Sequence, residues 1–174
     1  MKTLETERLV LRDWRVDEAT EMFSFYKDPE IWPRAGGEVF SSVEECRRCI
    51  LCYADAQEVW AMEQKETGKP IGSMFLEDIG RNEGYREMEF VLSGRYHNRG
   101  YMTEAVNRVL AYAFEELELD IVAVCHYPDN APSKRVIEKC GFTYEGTLRK
   151  YSKNGLDSVR YSMTREEWAK RKLR

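Results

Sequence analysis

Two glutamates, Glu87 and Glu89, stand two positions apart in a segment whose pattern favours a β-strand. Side chains two apart on a strand point to the same face, so the sequence places two carboxylates side by side. Such a pair raises the pKa of its members and attracts a cationic group, from which a carboxylate can take a proton. The alternative is that one or both glutamates line a solvated face of a sheet.

The segment RYHNRGYMTEA at residues 95–105 lies between a predicted strand that ends near Leu92 and a predicted amphipathic helix. The first amides of a helix lack intrahelical partners, and together with the helix dipole they favour phosphate oxygens. Gly100 allows the backbone to approach a phosphate closely, and Arg99 adds positive charge. The segment therefore predicts an anion-binding loop, with a solvated turn as the alternative.

A third group of polar residues surrounds the segment NAPSKRVIEKCGF at residues 130–142. Pro132 followed by Ser133 is typical of a helix start, so Ser133 is predicted either to cap that helix or to serve as a catalytic hydroxyl. His126 ends the preceding strand and is either a hydrogen-bonded structural residue or a base.

Hydrophobic periodicity predicts the elements that position these residues. Alternating or short apolar runs predict strands over residues 6–14, 59–66, 71–78, 85–92, 121–127, 144–152 and 158–163. Helical spacing predicts helices from residue 17, from Ser42 with its capping-box partner Glu45, over 103–116 and over 133–140. Gly141 suits the end of the last of these helices. Asn154 and Gly155 predict a hairpin turn.

Together with YEGTLR at residues 144–149, these segments resemble the GCN5-related N-acetyltransferases, in the branch similar to ribosomal-protein N-terminal acetyltransferases. The resemblance extends from ETERLVLRDW near the start to GLDSVRYSMTREEW near the end. It implies one α/β domain over residues 1–174. In that domain a twisted, mostly antiparallel sheet contains one splayed parallel strand pair and carries helices on both faces.

The resemblance also implies acetyl-coenzyme A as the co-substrate, bound between the splayed strands without a metal. The pantetheine would pair along Val91 and Leu92, and Asn130 would reach its arm. The pyrophosphate would lie on the loop formed by Asn98, Arg99, Gly100, Tyr101, Met102 and Thr103. Acetyl transfer would be direct, in a ternary complex, with Ser133 as the remaining family-supported acid.

Several positions depart from the family's pattern. His97 and Met102 differ from the usual loop residues, and the bulk of Met102 is expected to crowd the helix start. Ile137 stands where many relatives carry a tyrosine that protonates the departing thiolate. Glu87 matches the family's acidic position whereas Glu89 replaces a common glycine, so the resemblance favours Glu87 as the base and Glu89 as an anchor for the amine.

Composition limits the partners. The 174 residues carry 27 Lys and Arg against 31 Asp and Glu, a net charge of −4, with no concentrated basic stretch. Nonspecific nucleic-acid binding is therefore not expected, and a cationic acceptor is favoured: a protein N-terminus, a polyamine or another small amine such as an aminoglycoside. The absence of a long apolar segment predicts a cytoplasmic protein without membrane contact. The sequence leaves the oligomeric state open, a homodimer included.

The five cysteines predict no closed disulfide framework. Three of them, in CRRCILC at residues 46–52, resemble a metal motif, but no fourth ligand lies nearby and helical spacing separates Cys46 from Cys52. Two alternatives to the enzyme remain. The missing tyrosine, the altered loop and the unassigned base favour a noncatalytic coenzyme A binding or regulatory module, and the cysteine cluster favours a metal-dependent sensor.

Overall fold

An eight-stranded sheet forms the centre of the computed structural model, which describes residues 2–172. Its strands are β1 (Leu4–Glu5), β2 (Leu9–Arg12), β3 (Val59–Gln64), β4 (Lys69–Glu77), β5 (Tyr85–Leu92), β6 (Ile121–His126), β7 (Thr143–Leu148) and β8 (Ser158–Thr164). They lie in the order β1-β2-β3-β4-β5-β6-β8-β7. Every adjacent pair is antiparallel except β5 and β6, which are parallel. This confirms the predicted mostly antiparallel sheet with one parallel pair.

Helices cover both faces of the sheet. They are α1 (Ala19–Tyr26), α2 (Val43–Ala56), α3 (Tyr101–Glu115), α4 (Ala131–Lys139) and α5 (Arg165–Lys172). Helices α1 and α2 bury Phe25 and Ile50 against Phe75 and Val91 of the sheet. On the other face α3 and α4 pack against the second core, whose larger side chains include Leu110. None of the helices within residues 2–172 is long and apolar enough to cross a membrane.

Local sequence signals account for the helix ends. The Ser42 hydroxyl accepts a hydrogen bond from the Glu45 amide at 3.2 Å, which confirms the predicted N-cap of α2. The Glu45 carboxylate accepts from the Ser41 amide rather than from that of Ser42. Gly141 follows α4 with a φ of +78°, the left-handed conformation expected of a C-cap glycine.

Three elements differ from the prediction, the first being β1, which precedes the predicted strand over residues 6–14. Strand β7 ends at Leu148 instead of continuing to residue 152, because Lys150 turns the chain with a φ of +55° and the Gly155 turn sits at the tip of a longer loop. Helix α5 was not predicted. Its signal is present in the sequence, since Thr164 and Glu167 form a capping box with reciprocal hydrogen bonds of 3.2 and 2.8 Å.

The parallel pair separates before its strands end. The ladder between β5 and β6 runs from Tyr85 opposite Ile121 to Met88 opposite Val124. Beyond that point β5 remains paired with β4, and β6 remains paired with β8. The last residues of β5 therefore have an open edge on the side of β6, as expected for a splayed pair of parallel strands.

Candidate active site

A cleft of about 550 Å³ opens beside the free edge of β5. Its walls are the end of β5, the loop before α3, the first turn of α4 and the segment that follows α1. Of the residues predicted to hold the cofactor, Leu92, Gly100, Asn130 and Ser133 all line this cleft. The structure thus brings together predicted residues from the end of β5, the loop before α3 and the first turn of α4.

The loop before α3 presents a run of unpaired amides. Asn98 and Gly100 adopt left-handed conformations, with φ values of +60° and +81°, and Gly100 is the N-cap of α3. Within residues 2–172, no acceptor is recorded for the amides from Asn98 to Thr103. Successive free amides at a helix N-terminus bind anionic oxygens, so this loop has the geometry of a phosphate site.

Arg8 holds that loop in place, a role that the sequence did not reveal. Its guanidinium donates to the Arg99 carbonyl at 3.0 Å and to Glu104 at 2.7 Å, and lies 4.5 Å from the centre of the Tyr101 ring. Burial raises the pKa of Glu104, but hydrogen bonds from Thr6 and from Arg8 outweigh burial and lower it below its ordinary value. The loop is therefore fixed to the start of β2 before any ligand arrives.

The free edge of β5 belongs to Phe90 and Leu92 rather than to Val91. The Ser93 amide donates to the Ile71 carbonyl of β4, and alternation along the strand turns the backbone of Val91 towards β4 as well. The backbone of Leu92 faces the gap, where its carbonyl accepts from Nε2 of His97 at 3.0 Å. Val91 contributes a side chain to the core beneath α1 and α2.

Met102 does not crowd the helix start, and that expectation was wrong. Its side chain is 5% exposed and packs in the core with Ala105 and Val106. Residues of a helix's first turn point to different sides, so a large side chain here can fill the core while its amide faces the cleft. The departure at Met102 thus leaves the anion-binding amides accessible.

Asn130, and not Ser133, caps α4. The Asn130 side-chain oxygen accepts from the Ser133 amide at 3.2 Å, and its Nδ2 donates to the Arg34 carbonyl at 3.1 Å. Both ends of the Asn130 side-chain amide are thus used within the protein, and the residue is 5% exposed. The predicted capping role of Ser133 is therefore wrong, and no hydrogen bond of its hydroxyl is recorded in the described part of the chain. Ile137, at the position where the family resemblance implies a tyrosine, is fully buried.

The carboxylates lie on the sheet face opposite α3, next to the point where β5 and β6 separate. Glu87 and Glu89 share this face with Glu77, which lies directly opposite Glu87 in the register of β4 and β5. Glu87 accepts from the Tyr85 hydroxyl at 2.8 Å and pairs with Arg160 at 3.4 Å. No hydrogen bond or ion pair of Glu89 is recorded within residues 2–172.

Glu89 titrates unusually for a glutamate. Burial and the negative charges of Glu77 and Glu87 together raise the pKa of Glu89 to about 7, against the opposing positive charge of Lys153. The residue nevertheless keeps an exposed surface, so water screens part of this effect in the open site. A cationic acceptor that displaced the water would meet a carboxyl group able to exchange a proton near neutral pH.

His126 lies away from these carboxylates. Its Nδ1 donates to the Tyr127 carbonyl at 2.7 Å, and its ring packs 5.7 Å from that of Tyr161 in the core beneath α3 and α4. Its Nε2 is buried and unpartnered within the described residues. The structural interpretation of His126 is thus favoured by its contacts.

The cysteines of α2 differ in environment. Cys46 is buried, Cys49 is partly buried and Cys52 is exposed. Burial raises the pKa of the Cys46 thiol to about 12 and raises that of Cys49 as well. Within residues 2–172 no group of three His, Cys, Asp or Glu side chains is placed to hold a metal ion.

The triple variant Cys46→Ala, Cys49→Ala, Cys52→Ala is expected to bind coenzyme A with an unchanged Kd, because none of these cysteines lines the cleft. A stability loss of about 1 kcal/mol is expected from the buried positions. Isothermal titration calorimetry measures the affinity, and elemental analysis of the wild type measures bound metal. Stoichiometric zinc or iron that disappears in the triple variant would contradict this prediction.

Comparison with known proteins extends these observations. Residues 8–143 match the family described as "Acetyltransferase (GNAT) domain". The chain is 28% identical to an uncharacterised N-acetyltransferase, p20, of Bacillus licheniformis over 97% of its length and 99% of that protein. A GNAT-family acetyltransferase from Bacillus anthracis has the same fold, with a TM-score of 0.87, 25% identity and coverage of 95% and 100% of the two chains.

Two further solved structures share the fold at lower identity. The ribosomal-protein-S5-alanine acetyltransferase of Vibrio fischeri gives a TM-score of 0.80 at 19% identity, covering 97% of this chain and 99% of that one. The spermidine N-acetyltransferase of Vibrio cholerae, solved with CoA and spermine, gives a TM-score of 0.81 at 21% identity. The match covers 94% of this chain and 99% of that one. With the family match extending over most of the sequence and the splayed strands in place, the chain belongs to the GNAT family of N-acetyltransferases.

Proposed function

We propose that the protein transfers the acetyl group of acetyl-CoA directly to the primary amine of a cationic acceptor. One observation carries the proposal: the gap between β5 and β6 has free loop amides on one side of the sheet and carboxylates on the other. An anionic cofactor and a cationic amine would thus reach the same gap from opposite faces. Opposite charges attract each substrate to its own side.

The residues around the cleft suit acetyl-CoA. The amides of Gly100 to Thr103 would hold the pyrophosphate, and the open edge of β5 at Phe90 and Leu92 would pair with the pantetheine. When bound, acetyl-CoA supplies the acetyl group as an activated thioester. Ser133, whose hydroxyl has no recorded partner within residues 2–172, would stand at the first turn of α4 to donate to the departing sulfur.

The reaction requires the acceptor ammonium to lose two protons. One carbon–nitrogen bond forms and one carbon–sulfur bond breaks, the sulfur takes up one proton as the thiol, and the other proton leaves through a base. Only a neutral amine can attack, so a carboxylate at the acceptor side fits the need. The three glutamates Glu77, Glu87 and Glu89 supply that negative surface.

Direct transfer is supported by the state of the thiols. Burial, together with the neighbouring negative charge of Glu87, raises the pKa of the Cys125 thiol to about 11. Burial also raises the pKa of Cys140 to about 12. Neutral thiols are weak nucleophiles, so neither cysteine is suited to carry an acetyl group at neutral pH.

A thiol-release assay tests the proposal. Acetyl-CoA is incubated with the protein and an amine panel: a peptide with a free N-terminal alanine, spermidine and an aminoglycoside, with the N-acetylated peptide as control. We expect thiol release only with free amines, and no added acetyl mass on the protein when acceptor is omitted. CoA binding without release against any amine would instead establish a noncatalytic coenzyme A binding module.

A further inference from the structure

Glu87 and Glu89 lie on the same strand and the same face, yet only one of them is already engaged. We propose that Glu89 takes the proton from the acceptor ammonium, while Arg160 and Tyr85 hold Glu87 as a fixed countercharge. This reverses the assignment drawn from the sequence resemblance. It rests on the proposed function and assigns roles within that same site.

Arg160 is the centre of the network around Glu87. This arginine is 8% exposed and comes from β8, on the far side of β6. It donates to Glu145 at 2.7 Å, pairs with Glu87 at 3.4 Å, and makes a short hydrogen bond to the Tyr85 hydroxyl. The same hydroxyl donates to Glu87 at 2.8 Å. A proton placed on Glu87 would weaken this pairing, and disrupting a largely buried ion pair is costly.

Glu89 has the opposite surroundings. The residue keeps an exposed surface, and its strand neighbour across the ladder, Phe75, carries no charge. The charged groups that act on it are Glu77 from β4, Glu87 from its own strand and Lys153 from the loop before β8. The charge of Glu89 in turn acts on the Cys125 thiol of β6. A proton can therefore arrive from the acceptor and leave to water without breaking an ion pair.

The two glutamates then depend on each other. Burial and the charge of Glu77 raise the pKa of Glu89, and the negative charge of Glu87 adds to that rise, towards the neutral range where a general base is most effective. Arg160 limits that effect by neutralising part of the Glu87 charge. Arg160 and Tyr85 are thus positioning residues, since they act through Glu87.

Kinetics of matched isosteric variants test the assignment, using an amine that the wild type acetylates. Glu89→Gln is expected to lower kcat by about 100-fold or more and to abolish the rise of activity between pH 6 and 8. Glu87→Gln is expected to raise KM for the amine, keep most of kcat, and move the rise to lower pH because a negative charge beside Glu89 is lost. Glu83→Gln, exposed in the loop before β5, serves as the control.

Substitution of the positioning residues should shift the dependence of activity on pH in the other direction. Arg160→Gln leaves the charge of Glu87 less neutralised, so the rise in activity should move to higher pH. Tyr85→Phe removes one hydrogen-bond donor to Glu87 and should move the rise in activity in the same direction. It provides the test if Arg160→Gln fails to fold. A purely structural role would lower the amount of active enzyme without moving the profile.

A readout independent of turnover separates this inference from the proposed function. Carbon NMR of the glutamate carboxyl groups should show one titration near pH 7 in the wild type. We expect that titration to vanish in Glu89→Gln and to persist in Glu87→Gln. If the near-neutral titration and the large loss of kcat instead follow Glu87→Gln, or follow both substitutions equally, the assignment of Glu89 is overturned.

Discussion

Replacing Gly100 by valine is expected to weaken coenzyme A binding by about 10- to 100-fold, the effect of losing a charge-assisted hydrogen bond of about 1.5–3 kcal/mol. The reason is the backbone conformation: Gly100 has a φ of +81°, which a β-branched residue adopts only with strain. The added Cβ has room within the protein, since its nearest neighbour is Arg8 Nη2 at 3.4 Å. The substitution therefore acts by moving the amides that follow Gly100.

Gly68→Val is the matched control for this prediction. Gly68 lies in the turn between β3 and β4, has a φ of +66°, and has no heavy atom within 4 Å of an added Cβ. Both substitutions should cost about 1–2 kcal/mol of folding stability through the left-handed backbone. Thermal shift with titrated acetyl-CoA separates them: Gly68→Val should be stabilised as much as the wild type, and Gly100→Val much less. Equal stabilisation of both variants would exclude the loop before α3 from the binding site.

The parts of the fold that depend on local signals were predictable. The apolar stripe of α3, the serine cap of α2 and the glycine after α4 each depend on residues within a few positions of one another. The anion-binding loop belongs to the same class, because a glycine before an amphipathic helix is enough to place free amides there. The capping box at Thr164 and Glu167, which begins α5, is an equally local signal.

The contacts that assign roles in the site were not predictable in this way. Arg8 contacts Glu104, which is 96 positions away in the sequence, and Arg160 contacts Glu87, which is 73 positions away. Such pairs are set by strand order and register, which a single sequence does not specify. The same limit explains Ser133: its position at a helix start was clear, but only the observed backbone shows that Asn130 occupies the cap.

That observation leads to the second prediction, on Ser133→Ala. Because Asn130 caps α4, removal of the Ser133 hydroxyl should leave Tm unchanged. Asn130→Ala, by comparison, should lose about 1 kcal/mol for the missing cap, which corresponds to a fall of about 2–4 °C in Tm. The two variants therefore separate the structural role of this helix start from a chemical one.

Ser133→Ala is expected to lower kcat by about 100-fold, the lower end of the range for a lost proton donor. Its hydroxyl lines the cleft beside Asn130, in the first turn of α4, where the helix dipole also favours negative charge on a departing sulfur. Steady-state kinetics at saturating acetyl-CoA and amine, with Tm measured on the same samples, provides the test. If kcat stays at the wild-type value while coenzyme A still binds, the thiolate takes its proton from water, and Ser133 is only a wall of the cleft.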